Sequence, residues 1–529
     1  MDWLRRLHGR IRIPQALYFQ STDLSAYFGD NESKKNLSQQ ALHSGIVSVF
    51  ARGLNGVAQV GSTIVLARLL EPEDFGLVAM VAAIAGLAPA LIDLGMRDAV
   101  VQKSRISHDE ISALFWLSVV IGGGLAAVTV LCGPLIAYFY HESQLEKIAQ
   151  VWALLFILAA LTNQHNALLR RALKFQTIAT IDVAANVLGA VGAIMMALAG
   201  GGYWALVAKP LLTAFINLLG VLFCCRWVPG IPKLSDGVRE MLRFGSYLTA
   251  FTIADYVGRA GDRVALGYTG GAKELGYYQN ANVVYDNLLT MFVNPLHTVA
   301  VSSLSKLRDN VEKLRQSWFT ALSSVTFFTM PAFIVLAVIA QDLVVLLLGE
   351  KWEYAGAILS VLSLRGPAHV VDRTQGWLHV AAGRADRWMR WGVLSSIVQL
   401  IALFCGLPFG TMGVAIAYTV ATYVLCVPAV VYSGRTYEIA TSNVLRAIGP
   451  QFLGSLCAAG SGFLLRYTWL TEVTPASRIA ILACTCTLIY VLVTVGVLGV
   501  VKPLHVLTSL LLDFMPARIS RLVHGKLRR

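Results

Sequence analysis

Two stretches of this sequence correspond to each other at a spacing of 200 residues. Residues 66–76 read LARLLEPEDFG, and residues 266–276 read LGYTGGAKELG. Each stretch follows a long apolar segment and ends in a hydrophobic residue and a glycine at the start of the next segment. Polar positions of the preceding segments also correspond at this offset: Arg52 with Thr252, Asn55 with Asp255, Gln59 with Arg259, and Thr63 with Arg263. The spacing predicts an internal duplication and therefore two homologous lobes.

The composition is that of a membrane protein. Hydrophobic residues make up 56% of the 529 residues and charged residues only 14%. Apolar windows of about 20 residues, the length that spans a bilayer as a helix, recur along the whole chain. We predict an all-α polytopic membrane protein with about fourteen transmembrane helices and no room for a separate catalytic domain. The predicted spans are 44–68, 74–95, 111–139, 148–169, 176–199, 203–225, 244–268, 275–303, 317–340, 354–381, 388–409, 411–433, 444–466 and 477–501.

The distribution of Lys and Arg predicts the orientation of these spans. An even number of spans places both termini on one side, and that side carries 31 Lys and Arg residues against five on the other. Cytoplasmic loops carry the excess of basic residues, so we predict that both termini are cytoplasmic. The net charge of +13 is explained in this way, and we expect no nucleic-acid partner.

The duplication and the spans together predict the domain organisation. Six spans per lobe is an even number, so both lobes insert in the same direction and their pseudo-twofold axis lies along the membrane normal. The predicted units are a basic cytoplasmic segment 1–43, an N-lobe 44–226 (spans 1–6), a linker 227–243, a C-lobe 244–433 (spans 7–12), two extra spans within 434–501 and a basic amphipathic cytoplasmic tail 502–529.

Charged residues fall inside two predicted spans with the same spacing. Span 7 contains Asp255, Arg259, Asp262 and Arg263, at offsets of 0, 4, 7 and 8. Span 10 contains Arg365, His369, Asp372 and Arg373 at the same offsets, beside the helix-breaking pair Gly366-Pro367. These offsets place each set on one helical face. Ionised groups inside a membrane face protein or water, so the pattern predicts a polar cavity and a transport function.

Several loop motifs occur in a specific order and spacing. They are 67–77, Asp93-Leu-Gly95 before 99–102, Arg171-x-Leu-x-Phe175, 202–206 and 275–278. These motifs resemble those of Wzx-type polysaccharide flippases, of the exopolysaccharide branch of colanic-acid type, which belong to the multidrug/oligosaccharidyl-lipid/polysaccharide exporter superfamily. The resemblance implies a flippase of the bacterial inner membrane. It would move undecaprenyl-diphosphate-linked oligosaccharide repeat units from the cytoplasmic to the periplasmic leaflet by alternating access, for exopolysaccharide or lipopolysaccharide biosynthesis.

The implied substrate assigns roles to the charged and polar residues inside the spans. Its diphosphate requires cationic groups, and the planar guanidinium of arginine can donate to two oxygens at once. The predicted substrate-binding residues are Arg52, Asn55, Gln59, Arg259, Arg263, Arg365 and Arg373. A competing interpretation is that the acids and arginines of span 7 only neutralise each other within the helix.

Titratable groups inside the spans are candidates for coupling transport to an ion gradient. We predict this role for Asp255, Asp286, His369 and Asp372, with H⁺ or Na⁺ as the coupling ion. A satisfied structural His–Asp pair is the alternative for His369 and Asp372. No cofactor and no metal site is expected, and the predicted partners are the lipid-linked oligosaccharide, membrane lipids, and a polysaccharide polymerase with its chain-length regulator.

Polar and ionisable residues in spans 4 to 6 form a further candidate set. They are Asn163, Asn166, Asp182, Asn186 and Lys209. Hydrogen bonding at the membrane interface explains the asparagines that flank His165 as well as sugar contact does. Lys209 lies close enough to a span end to extend its amine toward the membrane surface instead.

Three alternative functions remain open from the sequence. A multidrug or cation antiporter of the same superfamily would require a cavity richer in acids or aromatic residues. A lipid-linked peptidoglycan precursor flippase has the same fold. A membrane-embedded enzyme is disfavoured because the predicted periplasmic loops are short and none groups a base with a nucleophile.

Overall fold

The computed structural model describes residues 34–103, 106–232, 236–307, 310–501 and 503, and within them the regular structure is helical. We number the α-helices α1 to α17 in chain order. Their bounds are α1 Lys34–Leu69, α2 Pro72–Ala85, α3 Ala88–Asp93, α4 Met96–Gln102, α5 His108–Tyr140, α6 Gln144–Trp152, α7 Leu154–Arg171, α8 Phe175–Leu198, α9 Trp204–Cys225, α10 Asp236–Ser305, α11 Val311–Leu348, α12 Glu353–Leu364, α13 Gly366–Ala381, α14 Ala385–Gly406, α15 Gly410–Tyr437, α16 Thr441–Thr468 and α17 Pro475–Val491.

The helical segments agree with the predicted spans, with breaks inside spans 2, 4 and 10. In predicted span 2 the helix is interrupted between α2 and α3. It is interrupted again at Leu94-Gly95, where both residues have positive φ. Spans 7 and 8 form one helical run, α10, which is interrupted only at Gly271 (φ 74°, ψ −176°). The break predicted in span 10 separates α12 from α13, and a Cβ on Gly366 would lie 2.1 Å from the ring of Phe333. Gly366 therefore allows α13 to pack closely on α11.

The described part of the chain contains nine helical segments long and apolar enough to cross a membrane, which makes this a multi-pass membrane protein. One of these segments, Asp386–Arg435, contains both α14 and α15. The helices outside this set correspond to predicted spans 1, 7, 8 and 10, namely α1, both arms of α10 and the pair α12–α13. These are the spans to which the sequence assigns the charged site residues.

Helix packing separates a first and a second group of helices. In the first group α8 packs on α1 and α9, while α7 packs on α5 and α9. In the second, α12 and α13 pack on α10 and α11, and α15 packs on α13 and α14. The last two helices, α16 and α17, pack on α11 and on each other. We refer to the groups α1–α9 and α10–α15 as the N-lobe and the C-lobe.

The lobes meet at the two stretches that correspond in sequence, through a reciprocal contact. A Cβ on Gly76 would lie 1.6 Å from the carbonyl oxygen of Ala272, and a Cβ on Gly276 would lie 1.9 Å from that of Pro72. Because residues 72 and 272, and residues 76 and 276, are equivalent at the 200-residue offset, the two contacts exchange under a twofold rotation. Only glycine permits such a close approach of two backbones.

A second contact between the lobes lies beside the glycines. The guanidinium of Arg68 donates to the carbonyl oxygens of Leu346 (2.7 Å) and Leu347 (2.8 Å) at the end of α11. The indole of Trp352 donates to the carbonyl oxygen of Ala67 (2.9 Å). The amine of Lys351 lies 3.2 Å from the Glu71 carboxylate. These bonds hold the turn between α1 and α2 of the N-lobe against the turn between α11 and α12 of the C-lobe.

Candidate functional site

A cavity of about 540 Å³ lies within the N-lobe, between α1, α3, α4, α7, α8 and α9. Its lining combines amides, hydroxyls and two cations with six apolar side chains. The lining residues are Gln59, Pro89, Ile92, Arg97, Leu158, Ala159, Thr162, Asn163, Asn166, Asn186, Lys209, Pro210, Thr213, Ala214 and Asn217. This set of described residues contains no carboxylate.

Hydrogen bonds to neighbouring side chains orient three of the four asparagines of this cavity. Asn163 donates to the hydroxyl of Ser118 (3.3 Å), Asn186 donates to the side-chain oxygen of Asn55 (3.0 Å), and Asn217 donates to Asp182 (2.8 Å). An amide side chain has two N–H donors and an acceptor oxygen. Each of these asparagines therefore keeps hydrogen-bonding capacity beyond the bond that positions it.

The two cations of the cavity differ in their surroundings. The Nε of Arg97 lies 3.1 Å from the Asp93 carboxylate, one helical turn earlier. Lys209, on α9, donates to the hydroxyl of Ser62 (2.7 Å). Within the described residues no carboxylate lies within ion-pair distance of Lys209. Among the described residues, its positive charge is therefore stabilised only by neutral oxygen atoms such as that of the Ser62 hydroxyl. An anion in the cavity would supply a counter-charge.

The C-lobe contains a compact charged cluster where the two arms of α10 meet α13. Asp262 is buried, and its carboxylate accepts hydrogen bonds from the Tyr278 hydroxyl (2.9 Å) and the backbone N–H of Arg263 (2.7 Å). Arg263 and Arg365 are close enough to act electrostatically on this carboxylate. The residues come from three different predicted spans, so the fold brings them together.

Arg365 lies at the break between α12 and α13 and is bordered by aromatic rings. Its guanidinium carbon is 5.9 Å from the centre of the Tyr285 ring and 5.6 Å from that of Tyr418. The Nε atoms of Arg263 and Arg365 are both buried without a hydrogen-bond partner among the described residues. Each guanidinium thus has a donor available for an anion.

His369 links Tyr285 to Arg373 inside the same cluster. Its Nδ1 lies 2.8 Å from the Tyr285 hydroxyl, and its Nε2 accepts a hydrogen bond from the Nε of Arg373 (3.2 Å). Because a guanidinium only donates, Nε2 carries no proton in this arrangement and Nδ1 carries it. The imidazole is therefore neutral here and donates to the Tyr285 hydroxyl oxygen.

The two remaining described acids of the predicted coupling set lie in different environments. Asp372 accepts a hydrogen bond from the buried indole of Trp391 on α14 (3.1 Å) and interacts electrostatically with Arg373 and Arg365. Asp286 is exposed and accepts a hydrogen bond from Asn282, one turn before it (3.1 Å).

The predicted site residues therefore divide between two places. Asn55 and Gln59 belong to the N-lobe cavity, where Gln59 lines the wall and Asn55 binds Asn186. The C-lobe cluster contains Arg263, Arg365, Arg373, His369 and Asp372, and Asp286 lies at its exposed edge, next to Tyr285 in the chain. The side chains of Arg52, Asp255 and Arg259 lie outside the described part of the structure.

Two polar features were not predicted from the sequence. The first is the lining of the N-lobe cavity by Thr162, Thr213 and Asn217, whose neutral side chains give no charge pattern. The second is an ion pair network beside α16 and α17. The buried carboxylate of Asp342 lies 3.3 Å from Arg466 and 3.0 Å from Arg478. Asp342 follows predicted span 9, and both arginines were assigned to loops or span ends.

Comparisons with known proteins identify the family. A family model described as "Polysaccharide biosynthesis protein" matches residues 65–356, which is more than half of the chain and includes both copies of the repeated stretch. The chain belongs to this family. The match confirms the resemblance to polysaccharide flippases that the loop motifs indicate. A curated relative, the lipopolysaccharide biosynthesis protein WzxC of Escherichia coli (strain K12), is 28% identical over 422 residues, covering 78% of this chain and 82% of WzxC.

Solved structures confirm the fold class. The lipid II flippase MurJ in an inward closed conformation matches with a TM-score of 0.68 and 15% identity, over 86% of this chain and 98% of MurJ. An inward-facing multidrug resistance MATE family transporter of the MOP superfamily matches with a TM-score of 0.53 and 14% identity, over 74% of this chain and 98% of the transporter. At these identities the similarity concerns the fold. These matches confirm the predicted all-α polytopic fold.

Proposed function

We propose that the protein is a flippase for lipid-linked oligosaccharides in polysaccharide biosynthesis. It moves undecaprenyl-diphosphate-linked repeat units from the cytoplasmic to the periplasmic leaflet of a bacterial inner membrane. The two lobes rock about the reciprocal glycine contact and expose the polar interior to each side in turn. The strong excess of Lys and Arg on the side of the termini supports cytoplasmic termini.

The observation that carries this proposal is a hydrophilic interior inside apolar helices. The substrate has a hydroxyl-rich head and a diphosphate that are costly to place in hydrocarbon, and a lipid tail that is not. An interior lined by amides and cations lowers that cost for the head alone. Family membership and the relative WzxC, named for lipopolysaccharide biosynthesis, support the choice of a glycan substrate.

The C-lobe cluster is assigned the anionic linker of the substrate. Arg263 and Arg365 each have an Nε donor without a partner among the described residues, and guanidinium groups match diphosphate oxygens. Arg373, Arg52 and Arg259 complete the proposed cationic wall, with Asn55 and Gln59 on the N-lobe side. Asp255, Asp286, His369 and Asp372 are the proposed groups that respond to H⁺ or Na⁺.

Deletion of the gene in the source organism tests the function. We expect loss of the extracellular or cell-surface polymer and accumulation of an undecaprenyl-diphosphate oligosaccharide, measured by mass spectrometry of extracted lipids. Re-expression of the wild-type chain should reverse both effects. Normal polymer together with no accumulated lipid would contradict the proposal.

The same strain separates the alternative functions. A multidrug antiporter would leave the polymer unchanged and increase drug susceptibility on deletion. The absence of a carboxylate from the cavity lining disfavours that function, because cationic drugs require negative charge. If the protein is a peptidoglycan precursor flippase, its deletion should cause lipid II to accumulate. Its expression should then restore growth in cells depleted of MurJ. A polymerase or its chain-length regulator is a proposed partner, and co-purification from cross-linked membranes tests that contact.

A further inference from the structure

The N-lobe cavity has chemistry that the arginine-rich C-lobe cluster does not have. Its volume of about 540 Å³ lies in the range of about 300–1,000 Å³ of pockets that bind small molecules. It combines four asparagines with one lysine that has no carboxylate partner among the described residues. The wall also has apolar parts at Ile92, Leu158 and Pro210.

The amides of the cavity suit hydroxyl groups. A sugar hydroxyl both donates and accepts, and an amide side chain offers both partners in fixed positions. Asn163, Asn186 and Asn217 are held by the bonds to Ser118, Asn55 and Asp182. Asn166, one turn from Asn163 on α7, lines the same wall, and no hydrogen bond of its side chain is formed with the described residues. The apolar parts of the wall suit the C–H faces of a sugar ring.

Lys209 adds a requirement for negative charge. Its amine donates to Ser62, and the other lining residues are neutral apart from Arg97, which is paired with Asp93. A partly buried cation without a counter-charge is costly, and an anion that enters the cavity removes much of that cost. By contrast, the arginines of the C-lobe cluster already lie near the carboxylates of Asp262 and Asp372.

We propose that this cavity is the binding subsite for the oligosaccharide head of the substrate, and that Lys209 selects repeat units that carry a carboxylate on a sugar. The inference rests on the proposed flippase function. The asparagines bind hydroxyls of the same or a neighbouring sugar, while the diphosphate stays with the arginines outside this cavity. A neutral head leaves the Lys209 amine uncompensated and is transported more slowly.

Two matched lipids test the selection in proteoliposomes that contain the full-length protein. Both are undecaprenyl-diphosphate trisaccharides, identical except for a terminal glucuronic acid in one and glucose in the other. Initial rates of transbilayer movement are measured at subsaturating lipid by exposure to an impermeant glycosidase, with protein-free vesicles as the background. We expect the wild type to move the glucuronate lipid at least about tenfold faster, because a hydrogen bond to a charged group discriminates by about that factor or more.

Substitutions at two positions of the wall locate that preference. Lys209→Gln should reduce the rate ratio to about one, and Lys209→Arg should retain most of the ratio. Asn166→Asp adds a negative charge to the wall and should slow the glucuronate lipid selectively, which supplies a second readout if Lys209→Gln fails to fold. Lys273→Gln, at an exposed lysine outside the cavity, is the matched control and should keep the wild-type ratio.

The outcomes distinguish the inference from the function on which it rests. Equal rates for both lipids in the wild type would overturn the selection by Lys209 and leave the flippase function standing. Equal slowing of both lipids by Lys209→Gln would also overturn it, because that result places the shared diphosphate at the lysine. Movement of neither lipid above the protein-free background would overturn the proposed function itself.

Discussion

The two polar regions of this protein differ in how their charges and hydrogen bonds are satisfied. In the C-lobe cluster each described acid lies near arginines, and Asp262 also accepts bonds from Tyr278 and a backbone N–H. Among the described residues no acid lines the N-lobe cavity, and the amides keep hydrogen-bonding capacity beyond the bonds that orient them. The interactions within the C-lobe cluster therefore stabilise the folded protein. The N-lobe cavity instead has hydrogen-bonding groups available for a ligand.

Under the proposed function, this difference suits the two lobes to different parts of one substrate. Arginines that are partly balanced by acids can hold a diphosphate without binding it so tightly that release becomes slow. A lysine without a counter-charge, placed among amides, can discriminate between anionic and neutral oligosaccharide head groups. The comparison also predicts that substitutions in the C-lobe cluster affect stability strongly, while substitutions in the N-lobe cavity mainly affect the choice of substrate.

The largest effect is expected for Asp262→Ala. The substitution removes a buried carboxylate that acts electrostatically on Arg263 and Arg365, and it leaves the Tyr278 hydroxyl without its acceptor. Leaving buried polar partners unsatisfied costs about 1–3 kcal/mol, and more for charged groups, so we expect a loss of about 3 kcal/mol in the free energy of unfolding, measured by denaturant titration in detergent micelles. Glu472→Ala, at an exposed acid between α16 and α17, is the control and should change stability by less than about 0.5 kcal/mol. Equal losses for the two variants would contradict the comparison.

A smaller effect is expected for Arg365→Lys. The charge remains, but the planar contacts with the rings of Tyr285 and Tyr418 are lost, and cation–π contacts of this kind contribute about 0.5–2 kcal/mol. The same titration measures the loss. A change as large as that of Asp262→Ala would show that the rings, rather than the charges, hold the cluster together.

In the N-lobe, Asn186→Ala is expected to cost about 1 kcal/mol, the net contribution of one hydrogen bond. The double substitution with Asn55→Ala should cost less than the two single costs combined, because both remove the same bond. The difference is measured as a coupling energy in the same titration. Full additivity would mean that the bond between α1 and α8 does not form in the folded protein.

The smallest effect on stability is expected for Asn166→Ala. Its side chain lines the cavity and forms no hydrogen bond with the described residues, so the free energy of unfolding should change by less than about 0.5 kcal/mol. Thermal unfolding of the purified variant beside the wild type measures this. A loss above 1 kcal/mol would show that Asn166 is part of the scaffold and would remove the distinction between the two regions at this position.

Features that repeat along one helix could be predicted from the sequence. The apolar run 176–199 corresponds to α8 Phe175–Leu198 because Lys174 and Gly200 bound it. The spacing of Arg365, His369 and Arg373 placed them on one face, where the structure finds them linked or adjacent. Contacts that depend on several helices could not be predicted. Asn217 and Thr213 carry no periodic signal, and Trp391 reaches Asp372 only because α14 packs beside α13.

The repeat at the 200-residue offset predicts the organisation of the chain rather than individual contacts. It predicted two lobes, but the sequence alone does not say which residues meet. The structure shows that the equivalent stretches contact each other, with Gly76 against Ala272 and Gly276 against Pro72. A substitution at either glycine would separate two backbones, so this corner tolerates no side chain.

The most direct test of the central claim is the leaflet in which the lipid-linked oligosaccharide resides in living cells. Spheroplasts of the source organism, with the protein present or depleted, are treated with an impermeant glycosidase, and the undecaprenyl-diphosphate oligosaccharide is measured by mass spectrometry. The proposed function predicts cleavage when the protein is present and full protection when it is depleted. Equal cleavage in both preparations would contradict the account, because the substrate would then reach the outer leaflet without this protein.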